Sequence, residues 1–259
     1  MFTGFGLFKI VLNKYLNALV FVYNGNEVYF CVHIFNFNIM SGFFKSSIGR
    51  KVSMALSAFF LMFFLIIHLA VNITSIFSEA VFNEMSHFMG TNPLVQFALQ
   101  PVLIFGVVFH FVMGFVLEIR NKKAQGIAYA KNNGAANSTW MSRNMIYSGL
   151  VILAFIGLHF IDFWFPEINY KYIAGNPEEP TRYFHELQEK FVPIWRVAAY
   201  VLSFILLGLH LAHGFTSAFQ SMGITAGRKK TLKTIGIAYS IIIPLGFIIV
   251  ALFHHLNHH

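Results

Sequence analysis

The chain has 259 residues, 57% of them hydrophobic and 11% charged, with a formal net charge of +8. A water-soluble domain carries about 25% charged residues, so the composition excludes an ordinary soluble enzyme and points to a membrane protein. The basic residues sit in short segments between apolar runs. They report topology rather than nucleic acid, which is not expected as a partner. The single cysteine, Cys31, excludes an internal disulfide framework and a thiolate-held iron–sulfur cluster within the chain.

Residues 1–39 begin "MFTGFGLFKIVLNKYLNALVFVYNGNEVYF", a Phe-, Tyr- and Asn-rich stretch interrupted by Lys9, Lys14 and Glu27. It holds no apolar run long enough to span and lacks the small-residue cleavage site of a signal peptide. Met40-Ser41-Gly42 offers a second start. Residues 1–39 therefore read as an N-terminal extension that does not cross the membrane, either an upstream stretch outside the natural chain or a cytoplasmic extension.

Runs free of Asp, Glu, Lys and Arg cover 52–78, 85–117, 144–161, 197–227 and 234–259. A hydrocarbon core of ~30 Å takes about 20 helical residues. Five transmembrane helices are expected at about 53–77, 94–119, 144–166, 195–220 and 234–256. The third reaches full length if Asp162 lies at the interface beside Trp164 and Phe165. Pro93, Pro166 and Pro193 fall at or near helix ends, where proline costs little, and Pro244 falls inside the fifth.

The loops alternate in charge. Lys45, Arg50 and Lys51 precede the first helix. Arg120, Lys122, Lys123, Lys131 and Arg143 separate the second and third, and Arg228, Lys229, Lys230 and Lys233 the fourth and fifth. The other two loops carry Glu79 and Glu84, then Glu167, Glu178, Glu179, Glu186 and Glu189. The excess of cations on one side puts the basic loops in the cytoplasm, and the C-terminus outside, of a multi-pass protein of the cytoplasmic membrane.

Four consecutive helices carry a histidine in apolar surroundings: His68, His110, His159, and His210 with His213. One such residue is ordinarily a hydrogen-bonded core group; one on each of four helices points to function, because intramembrane ionisable residues are rare. His68 and His159 each lie 15 residues past their cytoplasmic entries, Ser53 and Asn144, about 22 Å in at 1.5 Å per residue. His110 and His210 lie at matching depth from the other face, past Leu94 and Trp195. The four sort into two level pairs, His68 with His159 toward the outside and His110 with His210 toward the cytoplasm. Two histidines facing each other at one level suit a bis-histidine haem. Gly106 and Gly114 flank His110 on its own face and Gly214 follows His210, while Ser57, Gly149 and Gly157 thin the other two helices; they read equally as room for a ring or as close helix packing. His210 matches His110 in depth better than His213 does, and His213 is left to hydrogen-bond a haem propionate. His254, His255, His258 and His259 read as a solvated tail, with a surface metal site as the other reading.

At these residues the chain resembles a known family. "FLIIHLAVN" around His68, "VVFHFVMG" around His110, "IGLHF" around His159 and "LHLAHGFTSAFQSMGIT" around His210 resemble the five-helix di-haem cytochrome b anchor of succinate:quinone reductases and fumarate reductases. The loop "VFNEMSHFMGTNP" fits it as well. The likeness runs from about residue 40 to 256 and implies a five-helix all-α bundle over 40–259 enclosing two stacked b haems. In the family the ligands pair as the depths do: His68 and His159 on the outer haem iron, His110 and His210 on the inner one. Some members carry a membrane-embedded glutamate linked to proton transfer two residues before the helix-four ligand; here that position is Gly208.

The resemblance implies a flavoprotein that interconverts succinate and fumarate and an iron–sulfur protein as partners on the cytoplasmic face. It further implies electron transfer through the two haems to a quinone, menaquinone by the family's habit, with this chain not catalytic for succinate by itself. Gly208 leans the direction toward succinate oxidation. Glu84 and His87 are candidate proton donors to the quinone near the outer haem, and Arg120, Lys122, Lys123 and Arg143 are the candidate docking surface. Rival readings are a fumarate reductase running the other way, a histidine-relay transporter without haem, and a haem b anchor serving a hydrogenase or formate dehydrogenase. The transporter sits poorly with helices one to four, whose cores lack proline.

Overall fold

The structure, a computed structural model, describes residues 22–24, 27–29, 43, 46–124, 144–224 and 227–258. Cys31, Met40, Lys45, Lys131, Arg143, His259 and most of 1–39 lie outside the described residues. The chain divides into two compact units, Met1–Arg50 and Lys51–His259. In the first, Val22–Asn24 and Glu27–Tyr29 pair antiparallel with Asn24 opposite Glu27.

Five helical segments are long and apolar enough to cross a membrane: Ser47–Phe77, Val95–Lys123, Met145–Ile173, Ile194–Ser221 and Lys229–Leu256. They are called spans one to five below. Their apolar character is carried all round rather than on one stripe, and rows of large apolar side chains such as Phe63, Phe97, Phe105, Leu202 and Ile242 are exposed. In a membrane these faces meet lipid.

The spans run past the boundaries set by charge in the sequence. Span one begins at Ser47, span two ends at Lys123, and span five begins at Lys229. Charged residues end the hydrocarbon crossing but are good helix formers, so the helix continues into the polar layer. Span three passes through Pro166, where a helix end was expected. A wider π-turn over Phe160–Trp164 precedes a new α segment, Phe165–Ile168, with Pro166 in its first turn. There its fixed φ suits the first turn of an α segment. Span two uses the same device, with a π-turn over Val95–Leu99 and then Pro101 near the start of Gln100–Ala124, so a proline does stand inside this span, against the expectation of proline-free cores in helices one to four.

Both acidic loops hold helix. Glu79–Thr91 starts at Ser78, whose hydroxyl accepts from Val81 N–H at 3.3 Å, and Arg182–Lys190 packs against it. Asn83 Oδ1 joins them by accepting from Phe184 N–H at 2.8 Å. Lys171 donates to the carbonyl of Gly90 and pairs with Glu167. Arg182 pairs with Glu167 and Glu186 and lies between the rings of Tyr170 and Tyr183, at 4.1 and 4.4 Å. Span four ends on a left-handed glycine: Gly223, at φ 74°, lets its N–H reach Gln220 O and Ile224 N–H reach Phe219 O, the arrangement that satisfies a helix's last carbonyls.

Spans four and five run closest together. Gly208 packs on the backbone of Ser240 and on Pro244, and Gly236 on the ring of Phe215. Span one reaches span five through Tyr239, which donates to Met62 O at 2.7 Å, and through Leu69 against Gly246. The larger core cluster joins Leu69, Phe204, Phe247 and Ala251 with Phe82, Leu187 and Phe191 of the acidic end. A second gathers Ala55, Met62, Leu211, Phe215 and Ala218.

Candidate functional site

The structure brings the four histidines together in two pairs from non-neighbouring spans. His68 and His159 have ring centroids 5.8 Å apart with planes at 84°; His110 and His210 are 6.4 Å apart at 67°. His213 is half-buried on the face of span four beside His210, with its carbonyl accepting from Thr216.

These positions can be tested against a metal group. An imidazole nitrogen binds a first-row metal at ~2.0 Å and its centroid lies ~1.1 Å behind, so two axial imidazoles on one iron set their centroids ~6 Å apart. Both pairs meet that spacing. Two imidazoles are too few for a protein-only cage but suffice when a macrocycle fills the other four positions of the iron. Among the described residues no group of three or more His, Cys, Asp or Glu converges. There is also room. Repeated close backbone approach joins spans three and four and spans four and five; among the described residues it does not join spans one and three or spans two and four, whose histidines face each other. All four histidines keep accessible surface.

The glycines divide. A Cβ on Gly157 would meet nothing within 4 Å, one on Gly149 would stand 3.9 Å from His210 Cε1, and those on Gly114 and Gly214 would touch only the ends of Met54 and Met145. A Cβ on Gly106 would instead stand 2.8 Å from the ring of Phe60, so this glycine serves helix packing.

Each ring of the His110–His210 pair has a serine at Nδ1. Ser57 Oγ lies 3.1 Å from His110 Nδ1, and Ser148 Oγ 3.1 Å from His210 Nδ1. By sequence Ser57 stands out only as a small residue, and Ser148 not at all. The signal was present: Met54, Ser57 and His68 recur as Met145, Ser148 and His159 at one fixed offset, and His110 and Gly114 recur as His210 and Gly214 at another. The bundle holds two hairpins of one pattern.

The His68–His159 pair is surrounded differently. Asn72 Nδ2 donates to His68 O at 2.8 Å and lies 3.4 Å from His68 Nδ1. His159 Nδ1 is buried without a hydrogen-bond partner among the described residues. Phe155, Phe163 and Tyr200 pack around His159, and Phe64 and Phe247 around His68.

Two polar groups depart from expectation. Asp162, expected at the interface, is 2% exposed. It accepts from Tyr200 Oη at 2.8 Å and pairs with Arg196 at 3.3 Å, partners supplied by the start of span four that no local pattern could show. His254, read as part of a solvated tail, has no exposed surface; its Nε2 meets Ser75 Oγ at 2.8 Å and its ring meets Phe184 edge-on. Helix geometry turns it inward, while His255 bonds to the carbonyl of Phe191.

Glu84 and His87 sit on the helix Glu79–Thr91 rather than in an irregular loop. They face an open hollow of about 500 Å³ that Glu79, Asn83, Pro180 and Thr181 also line. His87 Nε2 lies 3.9 Å from Glu178. Among the described residues neither side chain makes a hydrogen bond, ion pair or ring contact with the histidine pairs. Next to this hollow, burial and the charge of Glu167 push the Tyr183 phenol up to about 12. Burial works to lower the Arg182 guanidinium, but the hydrogen bonds it donates to Glu167 and Glu186 override it and hold the group above its ordinary value. At the opposite end Arg120, Lys122 and Lys123 are exposed, with Lys122 paired to Glu118 at 3.1 Å.

No family model, no curated protein and no solved structure matches the chain.

Proposed function

We propose that this chain is the di-haem cytochrome b membrane anchor of a succinate:quinone oxidoreductase, passing electrons from an iron–sulfur subunit to menaquinone. His68 and His159 would hold one b haem and His110 and His210 the other. Bound there, the two haems would supply one-electron carriage along the bundle. The observation that carries the reading is the pair of bis-histidine spacings, 5.8 and 6.4 Å, each between spans whose backbones stay apart.

The protein's own residues would do the rest. Two histidines per iron leave no open position, so binding of oxygen or substrate at iron is not expected. Phe247 and Phe163 pack on the rings of His68 and His159 and would make that level largely apolar. Exposed Arg120, Lys122 and Lys123 offer a cationic face to a flavoprotein and iron–sulfur partner on the cytoplasmic side of the cytoplasmic membrane, with the C-terminus outside. Glu84 and His87, lining one hollow at the acidic end, would pass protons to and from the quinone.

The direction leans toward succinate oxidation. An electron moving outward across an interior-negative membrane gains about 2.3 kcal/mol per 100 mV for a full crossing, which favours delivery to a low-potential quinone. Fumarate reduction would need compensating protons. At Gly208, where some of the resembled proteins carry a glutamate, a side chain would start 3.0 Å from the Ser240 carbonyl, a tight contact that disfavours one here.

The test is purification from native membranes, with a pyridine haemochrome assay against protein mass and identification of the co-purifying subunits. Two b haems per chain together with a flavoprotein and an iron–sulfur protein are expected. One haem or none sinks the di-haem reading. Hydrogenase or formate dehydrogenase subunits would move the same haem chemistry to another complex.

A further inference from the structure

We propose that Ser57 and Ser148 are positioning residues that fix the tautomers of His110 and His210, so that each ring presents a bare Nε2 to a single haem iron. The inference rests on reading those two histidines as haem ligands.

The argument counts hydrogens. Ser57 Oγ lies 2.8 Å from the carbonyl of Met54 as well as 3.1 Å from His110 Nδ1. Ser148 Oγ lies 2.9 Å from the carbonyl of Met145 as well as 3.1 Å from His210 Nδ1. A hydroxyl has one hydrogen, and a carbonyl oxygen has none. Two oxygens at that distance attract only if the serine hydrogen lies between them. The hydrogen of each serine is therefore spent on its own helix. The contact to the ring is then favourable only if Nδ1 carries the imidazole proton and donates it to the serine oxygen. A neutral imidazole has one N–H, so Nε2 is left with the lone pair that a metal requires.

The device occurs twice, once in each hairpin, with the same serine-to-carbonyl bond and the same distance to the ring. It does not occur at the other pair. Among the described residues His68 Nδ1 meets the Asn72 amide at 3.4 Å rather than a hydroxyl, and one of that amide's two hydrogens goes to His68 O. His159 Nδ1 has no partner among the described residues. The serines therefore mark one haem site and not the other.

Donation from Nδ1–H raises the basicity of the ligating nitrogen. A more basic ligand favours the oxidised iron, so the serines hold the midpoint potential of the His110–His210 haem below the value it would have without them. They also restrain ring rotation, which keeps Nε2 aimed between the spans.

The experiment uses the full-length chain purified with its co-purifying subunits. Ser57→Ala, Ser148→Ala, the double variant and the matching Ser→Thr variants, which keep the hydroxyl, are titrated potentiometrically and followed in the visible spectrum. The double alanine variant is expected to raise the midpoint potential of one haem and leave the other unmoved, with each single variant moving part of the way and threonine restoring the original value. Haem retained at an unchanged potential in the double variant overturns the proposal, and so does an equal shift of both haems. A second measurement does not depend on the variants folding. Histidine-labelled ¹⁵N NMR of the reduced wild-type protein, assigned by single histidine replacements, should show His110 and His210 protonated at Nδ1. A proton on Nε2 of either ring overturns the proposal, whether or not haem is bound. Absence of haem with both rings protonated at Nδ1 upholds the tautomer assignment and sinks the ligand reading instead.

Discussion

Tyr200 donates its phenolic hydrogen to Asp162 across 2.8 Å, inside the bundle and one helical turn from His159. The carboxylate is 2% exposed, and its second partner is Arg196 at 3.3 Å. Tyr200→Phe keeps the ring that packs on Phe155 at 4.9 Å and removes only the hydrogen bond. It should cost about 1–2 kcal/mol. Asp162→Ala leaves a guanidinium and a phenol without their acceptor and should cost more, about 3 kcal/mol. Thermal unfolding in detergent measures both; equal melting temperatures for wild type and Asp162→Ala would show that the pair contributes nothing.

Replacing histidines one at a time should separate the two proposed haems. His68→Ala or His159→Ala should remove one and leave the other, because the rings of each pair face one position. His110→Ala or His210→Ala should do the reverse, and His213→Ala should keep both. The haemochrome ratio and the visible spectrum of each variant report the outcome. Loss of a haem in His213→Ala with retention in His210→Ala would reassign the ligand on span four.

Gly208 stands against a carbonyl without its helical donor. Ser240 O would ordinarily accept from residue 244, but Pro244 has no N–H. A Cβ at Gly208 would lie 3.0 Å from that oxygen and 3.5 Å from Pro244 Cγ. Backbone cannot give way as a side chain can, so Gly208→Ala should lower stability by about 1–2 kcal/mol through forced separation of spans four and five. Gly208→Glu should lower it further. The melting temperature of each variant in detergent checks the order; an unchanged value for Gly208→Ala would mean that the crossing is looser than the geometry requires.

Arg182 ties three elements of the acidic end by pairing with Glu167 and Glu186 while it stacks between Tyr170 and Tyr183. Arg182→Ala should cost about 2–3 kcal/mol, since it strands a half-buried Glu167 beside Lys171 alone. Lys122→Ala, which removes an exposed pair with Glu118, should cost under about 0.5 kcal/mol. Limited proteolysis of the segment 165–190 adds a local readout: cleavage should rise in the Arg182 variant and stay at the wild-type level in the Lys122 variant.

Tyr183 gives this end an alkaline sensitivity. Its pKa in the folded protein is pushed up to about 12 from the ordinary 10.0, by burial first and by Glu167 second. The folded state then holds the phenolic proton more tightly than the unfolded state does. The contribution is complete below pH 10 and declines as the pH rises toward 12. The melting temperature of the wild type should therefore fall faster over that window than that of Tyr183→Phe. Parallel curves would remove the phenol from the account.

Several features of the site were legible in the sequence for one reason: the helical rise is fixed. Residue counts from the charged boundaries put His68 level with His159 and His110 level with His210, and the structure brings those residues together. The recurring Met54-Ser57-His68 pattern was legible too, although Ser57 counted there only for its size and Ser148 not at all. What counting along one helix cannot supply is azimuth relative to a neighbour. It therefore missed that Ser57 and Ser148 reach across to His110 and His210, that Gly106 meets Phe60, and that Glu84 and His87 share a hollow with Pro180 and Thr181.

The sequence by itself determined that five apolar helices exist, where they lie within a few residues, and which histidines pair with which. Those properties follow from composition, charge and the 1.5 Å rise, which are local. Only the tertiary structure decided which polar groups are buried. Asp162 is sealed by Tyr200 and Arg196, and His254 by Ser75 and Phe184. Their partners are distant in sequence, and the cost of burying a polar group is met only where such partners converge. The same reason carries span three through Pro166: a π-turn opened before it lets one helix continue where local propensity alone would end it.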